Sequence, residues 1–247
     1  MKSLLRKTAL GLLALLLSAT GLLAITVFVP SLLYAHESRV AGFRVLHEES
    51  ALPGALEERL AEARHLVMAS ELYREDFGLE LALNDGSAYP ALIERIKGPG
   101  FAHGFANKVV LCTETDFDSN EASLRGYAWT LNALIAHEMV HCYQYEAYGW
   151  ASRSMPVWKL EGYAEYIARR QSLPLNELLP LYQKASEAQE SWVSLPDGNG
   201  CPLSYLEDHL LIAYLMDHKG MSYREIVADE SLDKDRLLQE LPGTGLL

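Results

Sequence analysis

His137-Glu138-Met139-Val140-His141 carries two imidazoles four residues apart with a carboxylate between them. On a helix, positions four apart lie one turn above each other on the same face, so both rings can close on one metal ion, zinc being the usual guest. Glu138 projects about 100° around the axis from His137, near enough to touch a water on that ion. Two ligands and a general base are what metal-assisted hydrolysis needs. Leu131, Leu134, Ile135, Met139, Val140 and Cys142 surround the pentapeptide on nearly every side, so the helix reads as buried. Burying His137, Glu138 and His141 without partners would cost on the order of several kcal/mol. A metal at that stripe removes the cost. Core histidines paired to carboxylates elsewhere are the competing account.

A third ligand is available. After nineteen intervening residues comes Glu161, in the run Trp158-Lys159-Leu160-Glu161-Gly162-Tyr163-Ala164-Glu165-Tyr166. Glu161 and Glu165 share a helix face. Glu161 can complete the ligand set, and Glu165 can accept the free ring N–H of a ligating histidine and fix its tautomer. Gly162 has no Cβ and would let two helices approach closely. A solvated acidic stripe on an ordinary amphipathic helix would show the same spacing.

H-E-M-V-H, a nineteen-residue gap and W-K-L-E-G-Y-A-E-Y together resemble the gluzincin metallopeptidases, the thermolysin-like, aminopeptidase-N-like and small peptidase MA-like enzymes. The likeness covers residues 129–170, with a fainter extension over Tyr205–Gly220. It implies Glu138 as catalytic base, His137, His141 and Glu161 as zinc ligands and Glu165 as the acceptor behind them. It also implies a small twisted sheet packed on the active-site helix, with a mainly helical C-terminal half. The G-x-M-E-N signature of aminopeptidase-N-like enzymes is absent, so the resemblance implies a hydrolase of this type rather than an aminopeptidase. In such folds an edge strand before the active-site helix borders the cleft. By that likeness Val109–Cys112 would pair with an extended peptide substrate, and a plain core strand is the alternative. A donor for the oxyanion would come from Tyr205, His209, Tyr163 or Tyr166.

The elements that must position these residues follow from local pattern. Strands are expected at Phe43–His47, Leu79–Leu83 and Lys108–Thr113, the second ending at Asn84-Asp85-Gly86. Helices are expected over Pro53–Asp76, Tyr89–Ile96, Gly126–Tyr148 (stopped by Gly149), Val157–Arg170, Leu175–Glu190 and Tyr205–Lys219. Ser204–Glu207 and Ser222–Glu225 read as capping boxes. The fold class expected is α+β, with an N-terminal transmembrane helix.

That helix is expected because Lys2, Arg6 and Lys7 precede an uncharged stretch whose apolar core runs from Ala9 to Val29, about the length that spans a bilayer. The positive flank would stay in the cytoplasm. The organisation expected is therefore a signal anchor over 1–35 and a metallopeptidase domain over 36–247, outside the cytoplasm in a periplasm-like space, or secreted if the segment is cleaved. Leu33-Tyr34-Ala35 is a poor cleavage site because Leu33 is bulky.

Beyond residue 35 the chain has 18 basic against 33 acidic side chains, a formal −15. Such a surface repels nucleic acid and argues against a DNA role. It favours basic or neutral substrates, or serves solubility alone. Cys112, Cys142 and Cys201 form no C-x-x-C, which argues against thiolate ligation. Three buried free thiols are expected in preference to a Cys142–Cys201 bridge. The partners expected are a peptide or protein substrate and a membrane, with the oligomeric state open. The leading function is a membrane-anchored zinc endopeptidase. A zinc hydrolase of another amide, such as cell-wall peptide, and a non-catalytic scaffold of similar fold are the alternatives.

Overall fold

The protein is described by a computed structural model covering the backbone of residues 2–124, 126–196 and 198–241, with side chains throughout except at 2–11 and 14. Helix α1 (Lys2–Phe28) leads into a 3-10 turn at Pro30–Leu33. The first half then alternates β1 (His36–Val40), β2 (Phe43–His47), α2 (Leu56–Val67), β3 (Glu80–Ala82), α3 (Tyr89–Lys97), β4 (Ala102–Phe105) and β5 (Lys108–Leu111). A three-stranded antiparallel meander follows, β6 (Glu114–Asp116), β7 (Glu121–Leu124) and β8 (Tyr127–Thr130). The second half is α4 (Leu131–Tyr148), α5 (Val157–Arg169), α6 (Leu175–Glu187), the hairpin β9 (Trp192–Ser194) and β10 (Gly200–Pro202), α7 (Leu203–Ala213), α8 (Tyr223–Ala228) and α9 (Lys234–Glu240).

The main sheet is mixed, in the order β1-β2-β3-β5-β4, with β2, β3 and β5 parallel and both outer strands antiparallel. Val109, Val110 and Leu111 on β5 are fully buried, as suits a strand covered on both faces. One face of the sheet packs on α4. A single apolar core then continues through α2, α4, α5 and α7.

Several expectations are corrected. The chain is a mixed α/β structure, and among the described residues no helix is long and apolar enough to cross a membrane. Residues 9–11 and 14 of the expected span lie outside the described side chains. The extracytoplasmic placement rested on that anchor alone. The end of α1 and the turn after it are tied to the body: the Tyr89 hydroxyl donates to the Val27 carbonyl at 2.7 Å, and the Ser87 hydroxyl donates to the Leu33 carbonyl at 2.7 Å.

The edge strand beside α4 is β4 rather than Val109–Cys112, because β5 is enclosed between β3 and β4. Helix α4 starts at Leu131, not Gly126. Tyr127, Trp129 and Thr130 are aromatic or β-branched and fit a pleated strand, so β8 runs straight into the helix. The box at Ser222 forms in full, whereas α7 begins with Pro202 at its N-cap and no side-chain cap. All three cysteines are buried, and no two of them are joined in a disulfide.

Candidate metal centre

Helix α4 is buried around most of its circumference, including His137 and Glu138. Its length follows from Leu and Ala content through Leu131–Ala136, and Gly149 ends it at φ +56°. Helix α5 crosses beside it. A Cβ on Gly162 would stand 2.3 Å from the Asp208 carbonyl oxygen and 2.8 Å from Ile212 Cγ1. Glycine is therefore required where α5 meets α7, and that contact seats Glu161 and Glu165 at their depth.

The two helices bring three donor atoms together. His137 Nε2 and His141 Nε2 are 3.1 Å apart. Glu161 Oε2 lies 3.3 Å from the first and 3.4 Å from the second. This His-His-Glu group could hold a metal ion. Behind it, His137 Nδ1 faces Glu165 Oε1 at 3.3 Å, and neither atom has another polar partner. The Arg169 guanidinium donates to the other Glu165 oxygen at 2.9 Å. Arg169 also lies over the Trp129 ring at 4.7 Å, and Trp129 packs against the His137 ring.

His141 has its own support, for which the sequence shows no spacing rule. Its Nδ1 meets Gln144 Oε1 at 2.8 Å. The Gln144 amide is held in that orientation because its nitrogen donates to the Leu160 carbonyl and to the Tyr223 hydroxyl, each at 3.0 Å. With the amide oxygen accepting, His141 keeps a proton on Nδ1, so Nε2 is the nitrogen that would bind a metal. Glu165 does the same for His137. A buried glutamine three residues after the second histidine, on the same helix face, was the available signal.

The electrostatics describe a cluster built around positive charge. Burial alone would lower the His137 pKa, but Glu161 and Glu165 outweigh it and push it up to about 10. His141 is raised against burial by Glu161. Burial would raise Glu161, yet His141 and His137 hold it well below the usual carboxylate range. Glu165 is likewise lowered despite full burial, by Arg169 and then His137. A cation held at the cluster would take the place of the imidazolium protons and leave both carboxylates ionised.

Glu138 faces the cleft beside the cluster, and its carboxylate accepts the Gly104 N–H of β4. A Cβ on Gly104 would lie 2.2 Å from the Glu138 carbonyl oxygen and 3.0 Å from His141 Cβ. Only glycine lets the edge strand come this close to α4. Gly104 sits between His103 and Phe105 in the ladder with β5, so its own N–H and C=O point to the free edge.

Of the four tyrosine and histidine candidates, Tyr205 alone lines the cleft. Its ring centroid is 6.3 Å from that of His137. Burial first, then the charge of Glu161, raises its pKa, so the hydroxyl keeps its proton. Tyr163 turns away to bond Ser70 and the Glu71 amide, Tyr166 donates to Asp217, and His209 is enclosed behind Glu165. The cleft, of about 570 Å³, is walled by Phe101, Phe105, Trp129 and Trp192.

Compared with known protein families, curated proteins and solved structures, the chain matches none.

Proposed function

We propose that this protein is a zinc-dependent peptidase of the gluzincin type, hydrolysing peptide bonds with a water molecule activated by Glu138. The observation that carries the reading is the convergence of three lone-pair donors at 3.1–3.4 Å, with the far nitrogen of each histidine facing its own acceptor. Ligand atoms about 2.0–2.1 Å from a tetrahedral zinc lie about 3.3 Å from one another, so the spacing suits that ion. His137, His141 and Glu161 would hold it.

A bound zinc supplies Lewis acidity, polarising a carbonyl and acidifying a water. The chain does the rest. Glu138 takes the proton of the attacking water and delivers it to the leaving amine. The Tyr205 hydroxyl donates to the oxygen on which charge develops. As the outer strand, β4 would run beside an extended substrate, with its Gly104 N–H engaged by Glu138, and the aromatic walls would seat apolar side chains. Gln144 and Glu165, the latter held by Arg169, keep both imidazoles in the ligating tautomer.

The test is Glu138→Gln. The variant should keep its zinc and lose cleavage of a mixed peptide library by at least a hundredfold. A variant that cuts peptides at the wild-type rate would overturn the role of Glu138. If the wild type cuts no peptide but cuts purified cell-wall fragments, the amide hydrolysed is of the second kind.

A further inference from the structure

The cleft differs in charge from the rest of the molecule. The chain carries a formal −12, with 33 acidic against 21 basic side chains. The carboxylates facing the cleft are Glu138 and Glu161, both in the metal machinery. The remaining charged side chains on its walls are Lys97 and Arg153, both cationic.

Neither is paired with a carboxylate among the described residues, unlike Arg44, Arg59 and Arg74, each of which is ion-paired. Arg39, Arg95 and Arg170, outside the cleft, are also without such a pair, so it is the place of Lys97 and Arg153 on the cleft wall that sets them apart. Lys97 Nζ stands 3.4 Å from the Gly104 carbonyl and 5.1 Å from the Phe105 ring centroid, so its ammonium is held against the edge strand beside the reacting centre. The Arg153 guanidinium lies over the Trp150 ring at 4.1 Å. Stacking leaves its in-plane N–H groups free to take a carboxylate through two parallel bonds.

We infer that the substrate of this site is an acidic peptide segment, with a carboxylate side chain close to the scissile bond meeting Lys97 and a further one meeting Arg153. The inference rests on the peptidase reading and names its substrate class. It reverses the expectation from net charge, because local field in a cleft outweighs a distant surface once that surface is screened over about 8 Å.

The experiment uses the full chain carrying Glu138→Gln, loaded with zinc, and fluorescence anisotropy with two labelled peptides. They share an apolar centre and differ in Glu or Lys flanks. The Glu peptide should bind at least tenfold more tightly at low salt, with the advantage shrinking at high salt. Adding Lys97→Glu and Arg153→Glu should reverse the preference with zinc content unchanged. Equal binding of the two peptides, or a preference that survives the charge reversal, overturns the inference. Cleavage of the Glu peptide by the wild type is followed in parallel. Its absence beside an intact binding preference overturns the peptidase reading and not the charge recognition.

Discussion

Gln144 is the smallest unit on which the centre depends. It spends its amide oxygen on His141 and its amide nitrogen on Leu160 and Tyr223, so the imidazole is fixed by a side chain that is itself fixed. Gln144→Leu keeps the volume and removes the acceptor. Zinc affinity, measured by competition with a chromophoric chelator, should fall 10- to 100-fold. Unchanged affinity would mean that His141 needs no support. His209 gives a second prediction at this scale. Burial holds its pKa down to about 4, with Glu165 pulling it up and Arg169 pushing it down. The unfolded chain takes up this proton near pH 6.5. Between pH 6.5 and 4 the unfolded state therefore binds more protons, and stability falls with pH by about 3 kcal/mol. The contribution is fully present above pH 6.5. His209 Nε2 has no hydrogen-bond partner, so His209→Leu should fold and should flatten that slope in denaturant titrations at pH 6.5, 5 and 4. An unchanged slope would assign the acid sensitivity to other groups.

Two elements, β4 and α4, make the cleft, and Gly104 sets their separation. Gly104→Ala places a methyl against the Glu138 carbonyl, and displacing the strand should cost about 1–3 kcal/mol in chemical unfolding. A variant as stable as the wild type would contradict the close approach. The same strand shows where local pattern runs out. Phe101-Ala102-His103-Gly104-Phe105 carries a glycine and a histidine and has no strong strand preference; pairing with Lys108–Leu111 makes it a strand. No turn separates Tyr127–Thr130 from α4, so local pattern alone extends the helix over it. The clustering of His137, His141 and Glu161 was legible because chelation would impose its own spacing: His137 and His141 one turn apart, Glu161 and Glu165 one turn apart. Gln144 has no such spacing rule, and choosing Tyr205 over His209, Tyr163 and Tyr166 required knowing how α7 lies across α5.

For the whole molecule, a mixed sheet on one side of α4 and helices α5 and α7 on the other enclose a group of charged side chains that no apolar core would otherwise admit. His137, Glu165 and Arg169 are each at most 2% exposed. Removing one member of such a buried set typically costs about 3–5 kcal/mol, so the fold is committed to the full constellation. The net charge of −12 misleads about the cleft because it sums groups far from it. The most direct measurement is the zinc content of the purified full chain, wild type beside Glu161→Ala, by mass spectrometry of the metal. About one zinc per chain is predicted for the wild type and a small fraction of that for the variant. A wild type without zinc, or a variant that keeps all of it, would contradict the metal centre built on His137, His141 and Glu161.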